Sequence, residues 1–221
     1  MAPVRRHRTL PCIAPPTRCS TSRGCSTTPW PCVFWAPNTR PNWKPTPDGR
    51  HRLRCREHWK RAQFDQAGIP VPDALVFAPV DFETQTIAGG LPQAGFDPGK
   101  ATFISWLGVT PYLTKLAITD TLKFALALPR GSAIVFDYMV DPTLLSPPAR
   151  HAFDRLAQWV AATGEPFVSW FKPSSLENLL LQTGFRQVTD LGPETMNARY
   201  FQNRDDGLRV GSLTHVMNAQ V

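Results

Sequence analysis

The sequence lacks several features that would assign it to a class at sight. No stretch approaches the roughly 20 apolar residues of a membrane-spanning helix, so we expect no membrane association. The five cysteines are an odd number without a CxxC pair, which argues against a disulfide framework and against a zinc site. The patterns GxSxG and HExxH and a phosphate-binding glycine loop are missing too, so neither a covalent nucleophile nor a metal is expected. Because no apolar core of a signal peptide is present either, we expect a cytoplasmic protein.

Charge and cysteine are unevenly distributed along the 221 residues. Residues 1–63 contain 13 Lys and Arg against two acidic residues, whereas residues 64–221 contain 11 against 15. All five cysteines and 10 of the 23 prolines also lie in the first 63 residues, where apolar residues show no helical or strand period. Such a segment cannot bury enough surface to offset its chain entropy. We therefore predict a disordered or aberrant basic arm over residues 1–57 and a folded domain over residues 58–221.

The arm is rich in Arg, Pro, Ser, Cys and Trp, which is typical of a GC-rich gene translated out of frame. A frameshift or a misassigned start is our hypothesis, and it predicts a glycine-rich strand-turn-helix in another frame of the upstream DNA. A second interpretation is nucleic-acid binding, because Trp30, Trp35 and Trp43 are interleaved with basic residues. Runs of charge are more often solvated tails, so we expect no nucleic-acid partner.

From residue 59 onwards, helix and strand signals alternate, which is typical of an α/β layer fold. Helices are predicted at 59–67, 84–91 and 114–128, from Ser146 to Gly164, and from a capping box at Ser174 and Glu177 to Gly184. Strands are predicted at 75–80, 102–106, 132–140, 186–191 and 208–221. The last two strands suit a hairpin at a sheet edge.

The segment 102–113, TFISWLGVTPYL, joins a buried-strand pattern to a glycine turn, which indicates a ligand beyond the carboxyl end of a parallel strand. Together with PVDFETQT at 79–86, and with NARYF and DGLRV near the C-terminus, it resembles the leucine carboxyl methyltransferase-like family of class I S-adenosyl-L-methionine-dependent methyltransferases. The resemblance covers about residues 59–221. It implies a Rossmann-like sheet of seven strands, of which this order fits the third to the seventh, with the last antiparallel. The first two strands and the glycine-rich turn would have no counterpart, which leaves the sheet N-terminally incomplete.

Asp81 and Phe82 follow the predicted strand 75–80. By residue type alone, Asp81 caps the next helix and Phe82 lies in the core. The resemblance instead implies that this pair contacts the adenine end of S-adenosyl-L-methionine, where a carboxylate accepts a hydrogen bond and an aromatic ring offers apolar surface.

Ser105, Trp106, Leu107 and Gly108 end the next predicted strand, and Gly108 permits close approach of a ligand to the backbone. The resemblance implies that this turn lines the methionine half of the cofactor and the face of methyl transfer. Some relatives have a glutamate where Leu107 stands, so one polar contact is absent here.

Two residues are candidates for catalysis. Tyr112 offers a hydroxyl near the reacting centre, or is a buried tyrosine bonded to the backbone. Arg199 either binds a substrate carboxylate or forms a salt bridge with Asp205 or Asp206.

Methyl transfer from a sulfonium is an in-line displacement, so the protein contributes alignment and a dry pocket. A general base is needed for a hydroxyl acceptor and not for a carboxylate, and the sequence does not decide between them. His151 and His215 have no partner at catalytic spacing, and we interpret both as structural. The predicted function is methyl transfer to an unidentified small-molecule or carboxylate acceptor. The alternatives are a non-catalytic remnant of the fold and a nucleic-acid-binding protein that uses the basic arm.

Overall fold

The computed structural model describes residues 32–34 (backbone only), 61–78, 86–162, 164 and 166–221. The strands in this part are β1 Cys32–Phe34, β2 Phe103–Trp106, β3 Ala133–Met139, β4 Gln187–Leu191 and β5 Thr214–Gln220. The helices are α1 Ile87–Gly90, α2 Lys115–Leu126, α3 Pro147–Ala162, α4 Pro173–Thr183 and α5 Pro193–Tyr200. Residues 61–66 are also helical, and 3-10 turns lie at Pro92–Ala94, Thr110–Tyr112 and Pro142–Leu144.

The strands form one sheet in the order β1-β2-β3-β5-β4. β1, β2 and β3 are parallel neighbours, whereas β5 runs antiparallel to both β3 and β4. The prediction of an antiparallel last strand is confirmed. The carboxyl ends of β1 to β4 therefore meet at one edge of the sheet, at which β5 begins. Ligands of open α/β sheets bind at this edge, which we call the carboxyl edge.

One face of the sheet carries the hydrophobic core. Successive side chains of a strand point to opposite faces, and β3 follows this pattern, with Ile134, Phe136 and Tyr138 buried. Helices α2 and α4 cover this face with buried Ile118, Leu122, Ala125, Leu176 and Leu180. Burying a Leu or Ile side chain stabilises the fold by about 1.5–3 kcal/mol. The periodic apolar patterns of these helices were sufficient to predict both of them.

The opposite face of the sheet is only partly covered. Helix α5 contributes Met196, Arg199 and Tyr200 to a groove of about 550 Å³ over this face. The strands contribute a mainly apolar floor that includes Phe103 and Val135. We refer to this feature as the α5 groove.

The prediction of a strand at 75–80 is wrong for residues 75–78, which are in no strand; residues 79 and 80 lie outside the described part. The amide of Leu75 donates to the Pro72 carbonyl at 2.9 Å, which closes a turn. The ring of Phe77 then packs against Phe64, and Arg61 lies over the Phe77 ring, so this segment folds onto the helical residues 61–66. The described neighbour of β2 on this side is β1.

β1 lies inside the range 1–57 and was not expected, because that range was predicted to be coil. It occupies the position beside β2 that the missing part of the sheet would take. The rest of 1–57 lies outside the described residues, so the boundary between the arm and the domain stays a prediction.

Three other expectations near the C-terminus need correction. Helix α4 begins at Pro173 with Lys172 as its N-cap residue, so Ser174 and Glu177 do not form a capping box. The last strand begins at Thr214 rather than at 208. No hairpin turn joins β4 to β5, because the unpredicted helix α5 lies between them, and β5 is inside the sheet while β4 is at the edge.

Candidate functional site

The turn after β2 lies at the carboxyl edge and is held by hydrogen bonds to β3. Gly108 has a φ of 74°, in the left-handed region that costs other residues about 1–2 kcal/mol. Its amide donates to Asp137 Oδ1 at 2.7 Å, and the Thr110 hydroxyl donates to the Asp137 carbonyl at 2.5 Å. The side chain and the backbone of one residue therefore fix the shape of this turn.

Asp137 is the only acidic residue of β3 and lies half-buried beside the turn. Burial raises the pKa of its carboxyl group, and the hydrogen bond from Gly108 opposes that rise. Sequence reasoning missed this residue. The available signal was an acid inside the otherwise apolar run AIVFDYM.

The far end of the turn is held by the segment that precedes α4. Ser169 donates through its hydroxyl to the Thr110 carbonyl at 2.8 Å, and the Val168 amide donates to the Pro111 carbonyl at 2.7 Å. The ring of Tyr112 lies 5.6 Å from that of Phe167. Tyr112 is 39% exposed, so this candidate lies at the surface of the carboxyl edge.

The predicted cofactor residues of the β2 turn do not all face outwards. Leu107 is 41% exposed and Ser105 is partly buried, whereas Trp106 is 2% exposed and packs against Phe136 in the core. Among the described residues, the Nε1 of Trp106 finds no hydrogen-bond partner. The accessible part of the turn therefore consists of Ser105, Leu107 and Gly108. The other predicted pair, at positions 81 and 82, lies outside the described residues.

Arg199 is exposed and lines the α5 groove. The expected alternative, a salt bridge to Asp206, is not formed, because Asp206 pairs with Arg204 at 2.5 Å. The described residues contain no ion pair between Arg199 and Asp205 either. Tyr112 instead packs on Phe167, at the far end of the turn after β2.

Asn197, next to these candidates in sequence, is structural. Its side-chain amide donates to the Val210 carbonyl at 3.0 Å, and its oxygen accepts from the Val210 amide at 2.8 Å. This double hydrogen bond ties α5 to the chain that enters β5.

A polar cluster that sequence reasoning missed joins three strands at the carboxyl edge. Asp190 Oδ2 lies 2.7 Å from His215 Nδ1, and the Tyr138 hydroxyl donates to Asp190 Oδ1 at 2.9 Å. Burial, followed by the nearby Asp190 charge, raises the pKa of Tyr138 far above its usual value, so the hydroxyl stays protonated. The partners are 25 and 52 residues apart in sequence, so no local spacing could have indicated them.

Across residues 61–78 and 86–221, apart from positions 163 and 165, no helix is both long enough and apolar enough to cross a membrane. The described side chains also include no group of three or more His, Cys, Asp or Glu that could hold a metal ion.

These features define a class of protein: an open, mixed α/β sheet with a ligand edge at the carboxyl ends of its parallel strands and an antiparallel last strand. Residues 57–126 match the family model of leucine carboxyl methyltransferase. The chain is also 30% identical over 161 residues to a Bacillus subtilis (strain 168) protein named "Putative S-adenosyl-L-methionine-dependent methyltransferase YktD". Over these residues the chain is therefore similar in sequence to leucine carboxyl methyltransferase and to an S-adenosyl-L-methionine-dependent methyltransferase.

The match to the Bacillus protein covers 72% of this chain and 53% of that protein, so the chain spans about half the length of its curated relative. Among solved structures, the S-adenosylmethionine-dependent methyltransferase SibL in its apo form is 15% identical, with a TM-score of 0.47 over 74% of this chain and 40% of SibL. A possible exported protein from Bordetella parapertussis is 16% identical, with a TM-score of 0.46 over 74% of this chain and 50% of that one. Both likenesses are too distant to add to the sequence matches.

Proposed function

We propose that this chain binds S-adenosyl-L-methionine at the carboxyl edge and transfers its methyl group to a small-molecule acceptor. The observation that carries the proposal is the sequence match over 161 residues, which includes the turn after β2. Residues 58–221 would form the methyltransferase domain, to whose sheet the arm adds strand β1.

The described residues suit the methionine half of this cofactor. Exposed Leu107 supplies apolar surface, and Gly108 admits close approach to the backbone. The carboxylate of Asp137 supplies negative charge beside the turn, which suits a sulfonium or ammonium cation. When bound, the cofactor supplies an electrophilic methyl group, so the protein has only to align the acceptor and exclude water. Asp81 and Phe82 are proposed to contact the adenine.

Two residues, Tyr112 and Arg199, are proposed to contact the methyl acceptor at different places in the site. Tyr112 is proposed to line the acceptor side of the turn, because its ring is partly exposed at the carboxyl edge. Arg199 is proposed to bind an anionic group of the acceptor, since it has no ion-pair partner in the described structure and lines an apolar groove.

Isothermal titration with S-adenosyl-L-methionine tests the proposal, and two glycines provide a matched pair of variants. Gly108 and Gly131 both have positive φ values in turns, but Gly131 lies before β3, at the opposite edge of the sheet. Gly108→Ala and Gly131→Ala should each lower the free energy of unfolding by about 1–2 kcal/mol. Only Gly108→Ala should weaken cofactor binding, by about tenfold or more for about 1.4 kcal/mol of lost contact.

Two results would contradict the proposal. Equal loss of affinity in both variants would mean that the turn after β2 does not contact the cofactor. No heat of binding to the wild-type chain would instead support the alternative, a non-catalytic remnant of the same fold.

A further inference from the structure

We propose that His215, oriented by Asp190, accepts the proton of a hydroxyl group on the methyl acceptor. This inference rests on the proposed function and narrows its substrate class to alcohols or phenols. It starts from the cluster of His215, Asp190 and Tyr138, to which the sequence matches assign no role.

The geometry fixes which ring nitrogen is available. Nδ1 of His215 lies 2.7 Å from a carboxylate oxygen, so Nδ1 carries the proton in the neutral ring and Nε2 carries the lone pair. Within the described residues, Nε2 has no hydrogen-bond partner. It is also not one of the fully buried polar atoms that lack a partner, so it keeps some exposure to solvent. The ring lies against Gly192, since a Cβ added at that glycine would be 3.0 Å from its Cε1 and 3.4 Å from its Nε2. His215 therefore presents an oriented proton acceptor.

The charges around the ring favour this role. The Asp190 carboxylate accepts from both His215 and Tyr138 and is only 19% exposed in its side chain, so it can stabilise an imidazolium. Tyr138 stays a neutral donor because its pKa is raised, and Glu177 of α4 adds a further negative charge near Tyr138. The two charges that act on Tyr138 in this cluster, those of Asp190 and Glu177, are thus both acidic.

The position of the cluster matches that of the cofactor turn. His215 is the register partner of Tyr138 on β3, and Tyr138 follows Asp137, which bonds Gly108. The side chains of Tyr138 and His215 point to the core face of the sheet and that of Asp137 points to the other face, so the acceptor reaches across the end of β3. β5 and β2 flank β3 on opposite sides, so the backbones of His215 and of the turn after β2 are about 10 Å apart at the same edge, by the usual strand spacing. An acceptor of modest size spans that distance.

The proposed step transfers one methyl group and one proton. As the acceptor oxygen bonds to the methyl carbon, the methyl–sulfur bond breaks and leaves its electron pair on a neutral thioether. The hydroxyl proton passes to His215 Nε2, and the imidazolium later releases it to solvent. An acceptor carboxylate is already ionised at neutral pH and gives no proton, so an oriented base would have no task with such an acceptor.

The first experiment needs no cofactor. NMR of the chain labelled with ¹⁵N in its histidines, with His215→Gln for assignment, should show a protonated Nδ1 and an unprotonated Nε2 in neutral His215. Asp190→Asn should change this tautomer ratio, whereas Tyr138→Phe, which removes the other hydrogen bond to Asp190, should preserve it. A wild-type ring protonated on Nε2 would overturn the proposal.

The second experiment identifies the product. The chain is incubated with methyl-labelled S-adenosyl-L-methionine and a panel of small hydroxy acids that carry both a hydroxyl and a carboxylate. Methyl ethers survive treatment with base, whereas methyl esters release the label. We expect a base-stable product, a loss of about 10²–10⁴-fold in kcat for His215→Gln, and a change in the pH profile for Asp190→Asn but not for Tyr138→Phe.

The results distinguish this inference from the proposed function. A product labile to base, or none at all, overturns the inference when titration shows that the cofactor binds. A wild-type chain that binds no cofactor contradicts the proposed function itself, and the tautomer measurement then still reports on His215. Equal rates for wild type and His215→Gln would show that the cluster only ties strands together.

Discussion

At the scale of single residues, Asp137 determines the shape of the turn after β2. Its side chain accepts from the Gly108 amide, and its carbonyl accepts from Thr110. The carboxylate is partly desolvated at this position, and its pKa is raised by burial above the ordinary value. Charge and geometry at this position can be separated, because asparagine keeps an acceptor oxygen without the charge.

Asp137→Asn should retain the turn and remove a pH-dependent loss of stability. A raised pKa means that the native state binds protons more tightly than the unfolded state, so wild-type stability falls as the pH rises through the window above the ordinary aspartate pKa. The free energy of unfolding of Asp137→Asn, measured in urea at several pH values, should therefore rise relative to wild type across that window. A constant difference between the two proteins would contradict the cause assigned to the shift.

Asp137→Ala provides the comparison for the geometric role. It leaves the Gly108 amide without its acceptor, which costs about 1–3 kcal/mol when the group stays buried. The expected order of stability at neutral pH is Asp137→Asn above Asp137→Ala, and the reverse order would mean that the hydrogen bond holds nothing in place.

At the scale of elements, helices α2 and α4 differ in how their N-termini are capped. Thr114 is the N-cap residue of α2, and its hydroxyl accepts from the Ala117 amide at 3.3 Å. Helix α4 has no side-chain cap, because its N-cap residue is Lys172, whose ammonium group cannot accept a hydrogen bond. Pro173 at the first helical position leaves one amide fewer without a partner.

Thr114→Ala should lower the free energy of unfolding by about 0.5–2 kcal/mol, because a helix N-terminal amide loses its acceptor. Ser174→Ala should change stability by less than about 0.5 kcal/mol, since Ser174 is inside the first turn and alanine is the better helix former. Denaturant midpoints of both variants check this pair. A larger loss of stability for Ser174→Ala would instead indicate that Ser174 caps the helix, as the sequence predicts.

The difference between these helices also illustrates what a sequence can predict. Helices α2 and α4 and strand β3 follow from apolar periodicity and turn glycines, which are local signals. The segment 75–78 has a strand-like composition, but its contact with residues 61–66 outweighs that preference. Within the site, the turn at Gly108 was predictable because it is contiguous. The cluster at His215 was not, because β5 brings its members together only by inserting between β3 and β4.

At the scale of the whole molecule, β1 covers the edge of β2 and is itself the terminal strand of the described sheet, only three residues long. Cys32, Val33 and Phe34 pair with Phe103, Ile104 and Ser105 of β2. Unpaired strand edges are templates for association with other chains. The predicted boundary after residue 57 would place this strand outside the folded domain.

Truncation tests whether the folded domain begins after residue 57 or includes β1. Removal of residues 1–57 deletes β1 and should make the chain associate more readily, because the backbone of β2 loses its parallel partner. Removal of residues 1–30 keeps β1 and serves as the control. Sedimentation at several concentrations measures the association, and identical behaviour of the two truncations would mean that β1 does not protect this edge.

The insertion of β5 between β3 and β4 also constrains when the chain can fold. In the described structure β4 is hydrogen-bonded only to β5, so β4 has no partner in the sheet until β5 has been synthesised and has inserted beside it. During translation β3 and β4 are therefore exposed together, each with an unpaired edge, until β5 emerges.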